Sequence, residues 1–228
     1  MKNRFFSLTF ILFLLLSINS LYAADFVAGF VGRFGASSAT TDRSKIFTSD
    51  FRAFESSFSF QPGIFWGYDD TLSTALLFDI GYNKDVYEIK YNNADEKRVV
   101  ENYKFNSLSL GIFPRLNIGF FSIGVGGGIK LPLSMTYSSK GRGDSSKYRF
   151  DFGDIKDSFE TFYIPYVKVS ADFLVKTKRK FMLSFGIYAN YDFPIDVSKN
   201  GILKDFTINQ DSLASFDIGF QFGMYFIS

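Results

Sequence analysis

An all-β chain, with eight antiparallel strands closed into an up-and-down transmembrane β-barrel, is the fold that this sequence predicts, on three observations. Stretches with apolar residues at alternate positions recur at about 25–35, 56–68, 72–91, 98–114, 119–137, 161–175, 181–193 and 212–227, which is the period of a strand. The connections alternate in length. Tyr68 to Thr71, Arg115 to Ile118 and Lys176 to Lys180 are tight, 36–55, 138–160 and 194–211 are long and polar, and 92–97 joins two extended strands. Short turns on one side and long loops on the other are the layout of a barrel that crosses a membrane. Finally, the segment FDIGFQFGMYFIS sets Phe216, Ile218, Phe220, Phe222, Met224 and Phe226 on one strand face with no later segment to cover it. Lipid is the cover that a closed barrel offers such a face.

The elements follow in chain order. Residues 1–23, MKNRFFSLTFILFLLLSINSLYA, carry Lys2 and Arg4, then an apolar core from Leu8 to Ile18, then a short stretch ending in Ala23. This is the layout of a secretory signal peptide, with cleavage expected after Ala23; the core falls short of the about 20 residues that span a bilayer. The expected organisation is therefore a signal peptide at 1–23 and one barrel domain at 24–228. The chain has no Cys, so the exported protein has neither disulfides nor a lipid-modified cysteine. After residue 23 no run approaches the roughly 18 apolar residues of a membrane helix. A formal charge of +2 gives no argument for a nucleic-acid partner, and aromatic residues at 20% of the chain favour strands and interfaces.

Each strand has one greasy and one small or polar face. The apolar series include Phe58, Phe60, Ile64 and Trp66, then Leu72, Leu76, Phe78, Ile80 and Tyr82, then Ile123, Val125, Ile129 and Leu131. Ser57, Ser59, Gln61 and Gly63 alternate with the first series, and Ser122, Gly124, Gly126, Gly128 and Lys130 with the last. Periodicity does not say which face points inward, because a soluble barrel has its apolar face inside. The aromatic positions decide. Tyr82, Tyr163 and Tyr191 lie on the apolar parity at the long-loop ends, while Trp66, Phe173 and Phe181 mark the other rim, as an interfacial aromatic girdle would. Leu72 to Tyr82 and Phe181 to Tyr191 match the 9 to 11 residues of a tilted spanning strand.

Inward parity then gathers Arg33, Lys130 and Lys168 with Asp79, Asp172 and Asp217 in a lumen only wide enough for side chains. Charges so enclosed must pair. Heights counted from the short-turn rim pair Arg33 with Asp217 across the seam of first and last strands, and aim Asp79 at Lys130 or Lys168. Such a network closes the lumen as a plug.

The terminal QFGMYFIS, with Gln221, Gly223 and Phe226, resembles the carboxy-terminal signal by which outer-membrane barrels are recognised for assembly, although it ends in Ser228 where an aromatic is usual. In length and loop asymmetry the chain resembles the small eight-stranded outer-membrane proteins of the OmpA, OmpX and OmpW type. The resemblance implies the outer membrane of a Gram-negative-type (diderm) bacterium, with outer-membrane lipid and the barrel-assembly machinery as partners. The alternation of loops implies an extracellular ligand for the long loops.

The chemistry-bearing motifs reduce to few. With no His and no Cys, the chain lacks the histidine base on which known barrel enzymes rely and any thiol nucleophile, and no catalytic residue, cofactor or metal is expected. GVGGG at Gly124 to Gly128 lies inside a strand, with no helix after it to cradle a phosphate. KTKRK at Lys176 to Lys180 reads as a solvated turn. In GRGDS, Arg142, Gly143 and Asp144 resemble the tripeptide by which matrix proteins engage integrins, in a loop where such residues are common. The main expectation is a structural or surface-interaction barrel acting through its long loops. The alternatives are a narrow pore or OmpW-like channel for ions or small apolar molecules, and a host-cell adhesin through Arg142-Gly143-Asp144.

Overall fold

The computed structural model describes residues 24–40, 53–67, 71–92, 98–140, 146–177, 181–198, Gly201, Leu203 and 212–228. Residues 1–23 and the Arg142-Gly143-Asp144 motif lie outside them. The strands are β1 (Ala24–Thr40), β2 (Ala53–Gly67), β3 (Leu72–Asn92), β4 (Arg98–Ile118), β5 (Phe121–Lys140), β6 (Ser146–Phe150), β7 (Ile164–Lys176), β8 (Phe181–Asp196) and β9 (Ser212–Ile227). A helix, α1 (Phe152–Ser158), follows β6.

All pairings are antiparallel, and they close. β1 pairs with β2 and β9, β4 with β3 and β5, and β5 with β7, giving a ring of eight strands. The short β6 stands outside the ring, paired to the far end of β5. Two expectations change. The segment 138–160 is not all loop, since β5 runs on to Lys140 and β6 and α1 fill much of the rest. Likewise Arg115 to Ile118 is not a turn. β4 continues to Ile118, and the chain reverses at Gly119 and Phe120, with Gly119 at φ 60°, a left-handed conformation that costs a glycine little.

The wall is apolar outside all the way round. Phe26 on β1, Ile112 on β4, Val125 on β5, Phe185 on β8 and Phe220 on β9 are 57%, 52%, 56%, 48% and 74% exposed. The facing positions inside are buried and mostly polar, among them Ser59, Gln61, Asp79, Ser109, Ser122, Ser170 and Ser184. That inversion of a soluble protein's order, in a closed ring whose strands are paired on both sides along the apolar band, is the signature of a chain solvated by lipid. The chain forms a membrane-spanning β-barrel.

The lumen is filled in three layers. At the short-turn end Val27, Val31, Ala75, Leu77, Phe113, Leu174, Met182 and Tyr225 form an apolar cluster. At the long-loop end Tyr87, Phe105, Met135, Tyr137 and Leu213 form a second cluster, into which Ile155 of α1 and Phe159 just after it insert. Charged side chains occupy the height between. Small residues make room for large ones, because a Cβ on Gly124 or Gly126 would strike the ring of Phe113, and one on Gly29 the ring of Tyr225.

Bulges reset the inward parity where the upper cluster is built. In β5 the register shifts opposite Asn106 and Ser107, so Pro132 points in, Leu133 out, and Met135 and Tyr137 in. In β8 a second shift between Asp192 and Ile195 turns Ile195 inward. An extra residue on one strand rotates everything beyond it.

Candidate functional site

The middle layer is the candidate site, and it holds two hydrogen-bonded networks. In the lower one, Arg33 on β1 donates from Nη2 to Asp79 Oδ1 (3.4 Å), from Nη1 to Ser59 (3.0 Å) and from Nε to Gln221 Oε1 (3.2 Å). Lys168 Nζ reaches the other oxygen of Asp79 at 2.9 Å, and Gln61 donates to Oδ1 at 2.9 Å. Gln221 Nε2 donates to Asp172 (2.7 Å), and Arg115 on β4 pairs with that carboxylate at 2.8 Å. Arg115 also donates to the Tyr225 hydroxyl (2.6 Å), which donates to Gln61 (2.8 Å). The chain Arg115, Asp172, Gln221, Arg33, Asp79, Gln61 and Tyr225 returns to Arg115, a closed cycle across the barrel. Each polar group in it has a partner, which burial in a low dielectric demands.

The upper network is centred on Lys130 of β5. Its ammonium lies 2.8 Å from Asp85 and 2.8 Å from Asp192, and the Tyr87 hydroxyl donates to Asp192 at 2.7 Å. Asn190 donates to Asp192 (3.0 Å) and to Asp217 (2.8 Å). Tyr166 stands between the networks, its ring centroid 5.1 Å from the Lys168 ammonium and 5.9 Å from that of Lys130. A ring face toward each cation separates two like charges on adjacent strands.

Above Lys84, β3 parts from β2. The β2–β3 ladder ends at Ser56 opposite Lys84, while β2 continues beside β1 to Ala53. Side chains replace the missing ladder. Glu55 accepts from the Val86 N–H at 2.8 Å, and Ser37 donates to the Val86 carbonyl at 2.8 Å. Beside this parting lies a cavity of about 20 Å³, lined by Glu55, Asn83, Asp85, Tyr188, Asn190 and Asp217 among others, which is room for about one water.

The six lumen charges read from parity all lie in this belt, and all are buried. Their pairing differs in one respect. Arg33 does not meet Asp217, because the β1–β9 register sets Arg33 against Gln221 and Asp217 against Ser37, four residues further along β1. Among the described residues Asp217 is in no ion pair, and Arg33 turns to Asp79. Sequence reasoning missed Arg115, Asp85, Asp192 and Glu55. Asp85 and Asp192 share the parity of their strands' inward residues; Arg115 was hidden by its assignment to a turn and Glu55 by a strand start set three residues too late.

The other singled-out residues are placed as follows. Tyr82 and Phe173 are exposed on the outer wall, Trp66, Phe181 and Tyr191 are half-buried there, and Tyr163, half-buried, lies just before β7 rather than on it. Phe173 stacks on Phe120 across the lower rim, with ring centroids 6.1 Å apart. Gln221 belongs to the lower network, Gly223 faces the lumen beside Ser184, and Phe226 is exposed on the wall 5.2 Å from the Phe181 ring.

No family model matches the chain, and no curated protein does. Among solved structures, the chain is similar in fold to Ail, the attachment invasion locus protein of Yersinia pestis, at 10% identity, TM-score 0.37, covering 86% of this chain and 97% of that one. Neisserial surface protein A matches at 12% identity and TM-score 0.34, over 89% and 97% of the two chains. The outer membrane protease OmpT from Escherichia coli matches at 8% identity and TM-score 0.43, over 90% and 96%. None of these likenesses bears on what this chain binds or does.

Proposed function

We propose that the protein is a structural or surface-interaction barrel of the outer membrane, with a closed lumen, that acts through its long extracellular loops and catalyses no reaction. The single observation that carries this reading is the filling of the lumen, an ion-paired belt between two apolar clusters. A cavity of about 20 Å³ at mid-height accommodates no solute larger than about a water. An OmpW-like path for apolar molecules calls for an apolar funnel, and the belt is the opposite of one. The non-enzymatic reading has its own support. The chain has no His, and the buried amines of Lys130 and Lys168 are each engaged by carboxylates rather than free to activate a serine.

Planar-bilayer recording on refolded protein tests the reading. The unmodified barrel is expected to show no steady conductance. A large, steady conductance would replace this reading with that of a pore.

A further inference from the structure

Beyond the closed lumen, the outside of the barrel is chemically lopsided at its extracellular end. Successive outward-facing rows across β3, β4 and β5 can be read from the register. Tyr82, Leu108 and Leu131 share one row, and Lys84, Asn106 and Ser134 the next. The row above holds Val86, Lys104 and Thr136, and β6 extends it with Arg149. Lys147 on β6 and Lys140 on β5 lie further out. Apolar wall thus gives way to cations within one row, which is about 7 Å along a strand.

Lys84, Lys104, Lys140, Lys147 and Arg149 are all exposed, and among the described residues none of them is in an ion pair. At the same end, the segment about α1 is acidic instead, with Asp151, Asp157 and Glu160 exposed and Asp154 half-buried. Beneath the cations the wall is largely aliphatic, with Ile80, Leu108, Leu110 and Leu133 exposed. On β1 and β2, by contrast, the exposed face is Phe26, Phe30, Phe34, Phe54, Phe58 and Phe60.

We propose that this basic ridge binds the phosphate groups of a phosphorylated glycolipid in the outer leaflet, whose acyl chains lie along the aliphatic wall of β3 to β5. The inference rests on the proposed function, in which the long loops are extracellular; the lipid these rows then meet is that of the outer leaflet. Lys84 and Lys104 are diagonal neighbours, about 7–8 Å apart at the backbone, so two flexible ammonium groups converge on one phosphate. Arg149, in the same row as Lys104 but two strands away, offers a planar fork to a second anionic oxygen set. Glu88, the carboxylate on this face of β3, is paired with Lys90 at 2.7 Å, so the ridge keeps a surplus of cations that repel one another until an anion joins them. Continuity with the apolar wall distinguishes a lipid from a soluble polyanion, which would find no use for the leucines below.

The test uses the full mature protein, refolded in phosphatidylethanolamine vesicles that carry either bisphosphorylated lipid A or the same glycolipid with its phosphates removed, and then extracted into mild detergent. Glycolipid retained on the purified barrel is measured. The expected result is retention of the phosphorylated form, little of the dephosphorylated form, and about hundredfold weaker retention by Lys84→Gln, Lys104→Gln, Arg149→Gln combined. The charge-preserving set Lys84→Arg, Lys104→Arg, Arg149→Lys should retain it. Folding of each variant is checked by the heat-dependent gel mobility of the barrel. Equal retention of the two glycolipids, unchanged retention by the glutamine set, or loss in the charge-preserving set would overturn the proposal.

Discussion

Asp79 holds two cations at once, Arg33 at 3.4 Å and Lys168 at 2.9 Å, in a lumen where neither has another carboxylate at ion-pair distance among the described residues. Removing a partner from a buried pair costs about 3–5 kcal/mol, because the charge left behind is unsolvated. Asp79→Ala is therefore expected to lower the unfolding free energy by about that amount in urea titrations of the vesicle-inserted barrel. Asp217→Asn should cost about 1 kcal/mol or less, since Asp217 accepts only from the Asn190 amide in the described structure and an asparagine oxygen can do the same. Equal losses would show that net charge, not pairing, sets the cost. The contrast also marks what the sequence could convey. Parity alone places Arg33, Asp79, Lys130, Lys168, Asp172 and Asp217 in the lumen, and would have added Asp85 and Asp192 if followed to the strand ends. Which charge meets which was not legible. That depends on the stagger between β1 and β9, which heights counted from one rim ignore.

At the level of elements, β6 and α1 turn an expected polar loop into a cap on the barrel mouth. Asp151 and Asp154 form a reciprocal capping box at the start of α1, with both hydrogen bonds at 3.1 Å. Its far end is tied to β8 and the residues beyond it by Glu160 N–H to the Asp196 carbonyl (2.9 Å) and Ser198 N–H to the Ser158 carbonyl (2.8 Å). Ile155 and Phe159 supply the apolar anchor. Trypsin added to intact cells should therefore cut slowly at Lys147, Arg149 and Lys156, exposed as these are, and, with the long loops extracellular as proposed, leave the Lys176 to Lys180 segment intact. Ile155→Asn removes roughly 2 kcal/mol of burial, so cutting at Lys156 should accelerate by about tenfold or more. An unchanged rate would mean that α1 is not held by its apolar side chain. The segment escaped sequence reading for a physical reason. Seven residues, FGDIKDS, with Ile155 alone buried among the apolar ones, are too few to display a 3.6-residue period. The bulges in β5 and β8 are equally silent, since an extra residue shows only against its partner strand.

For the whole molecule, the height of the outer apolar band should match the bilayer, and the chain has one Trp with which to measure it. From Leu72 at the short-turn end of β3 to Tyr82 is ten residue steps. At about 3.3 Å per step and a tilt near 40° these climb about 25 Å, the height of the apolar band in such barrels. Trp66 lies near the end of β2 and pairs with Thr74, two residues into β3, so it belongs at the lower edge of the band. Phe78, outward-facing and six steps above Leu72, belongs near its middle, about 15 Å up. In vesicles of lipids brominated at defined depths, Trp66 emission should be quenched most by labels close to the headgroups. Phe78→Trp in a Trp66→Phe background places the same fluorophore near the bilayer centre, where the deepest labels should quench it most. Both substitutions exchange one aromatic for another on the lipid face, so the ring of strands and the lumen network are left alone. If the two fluorophores reported the same depth, the band would not stand across the bilayer as the register requires. The tilt and the span inferred from Leu72 and Tyr82 would then be wrong together, because one geometry fixes both.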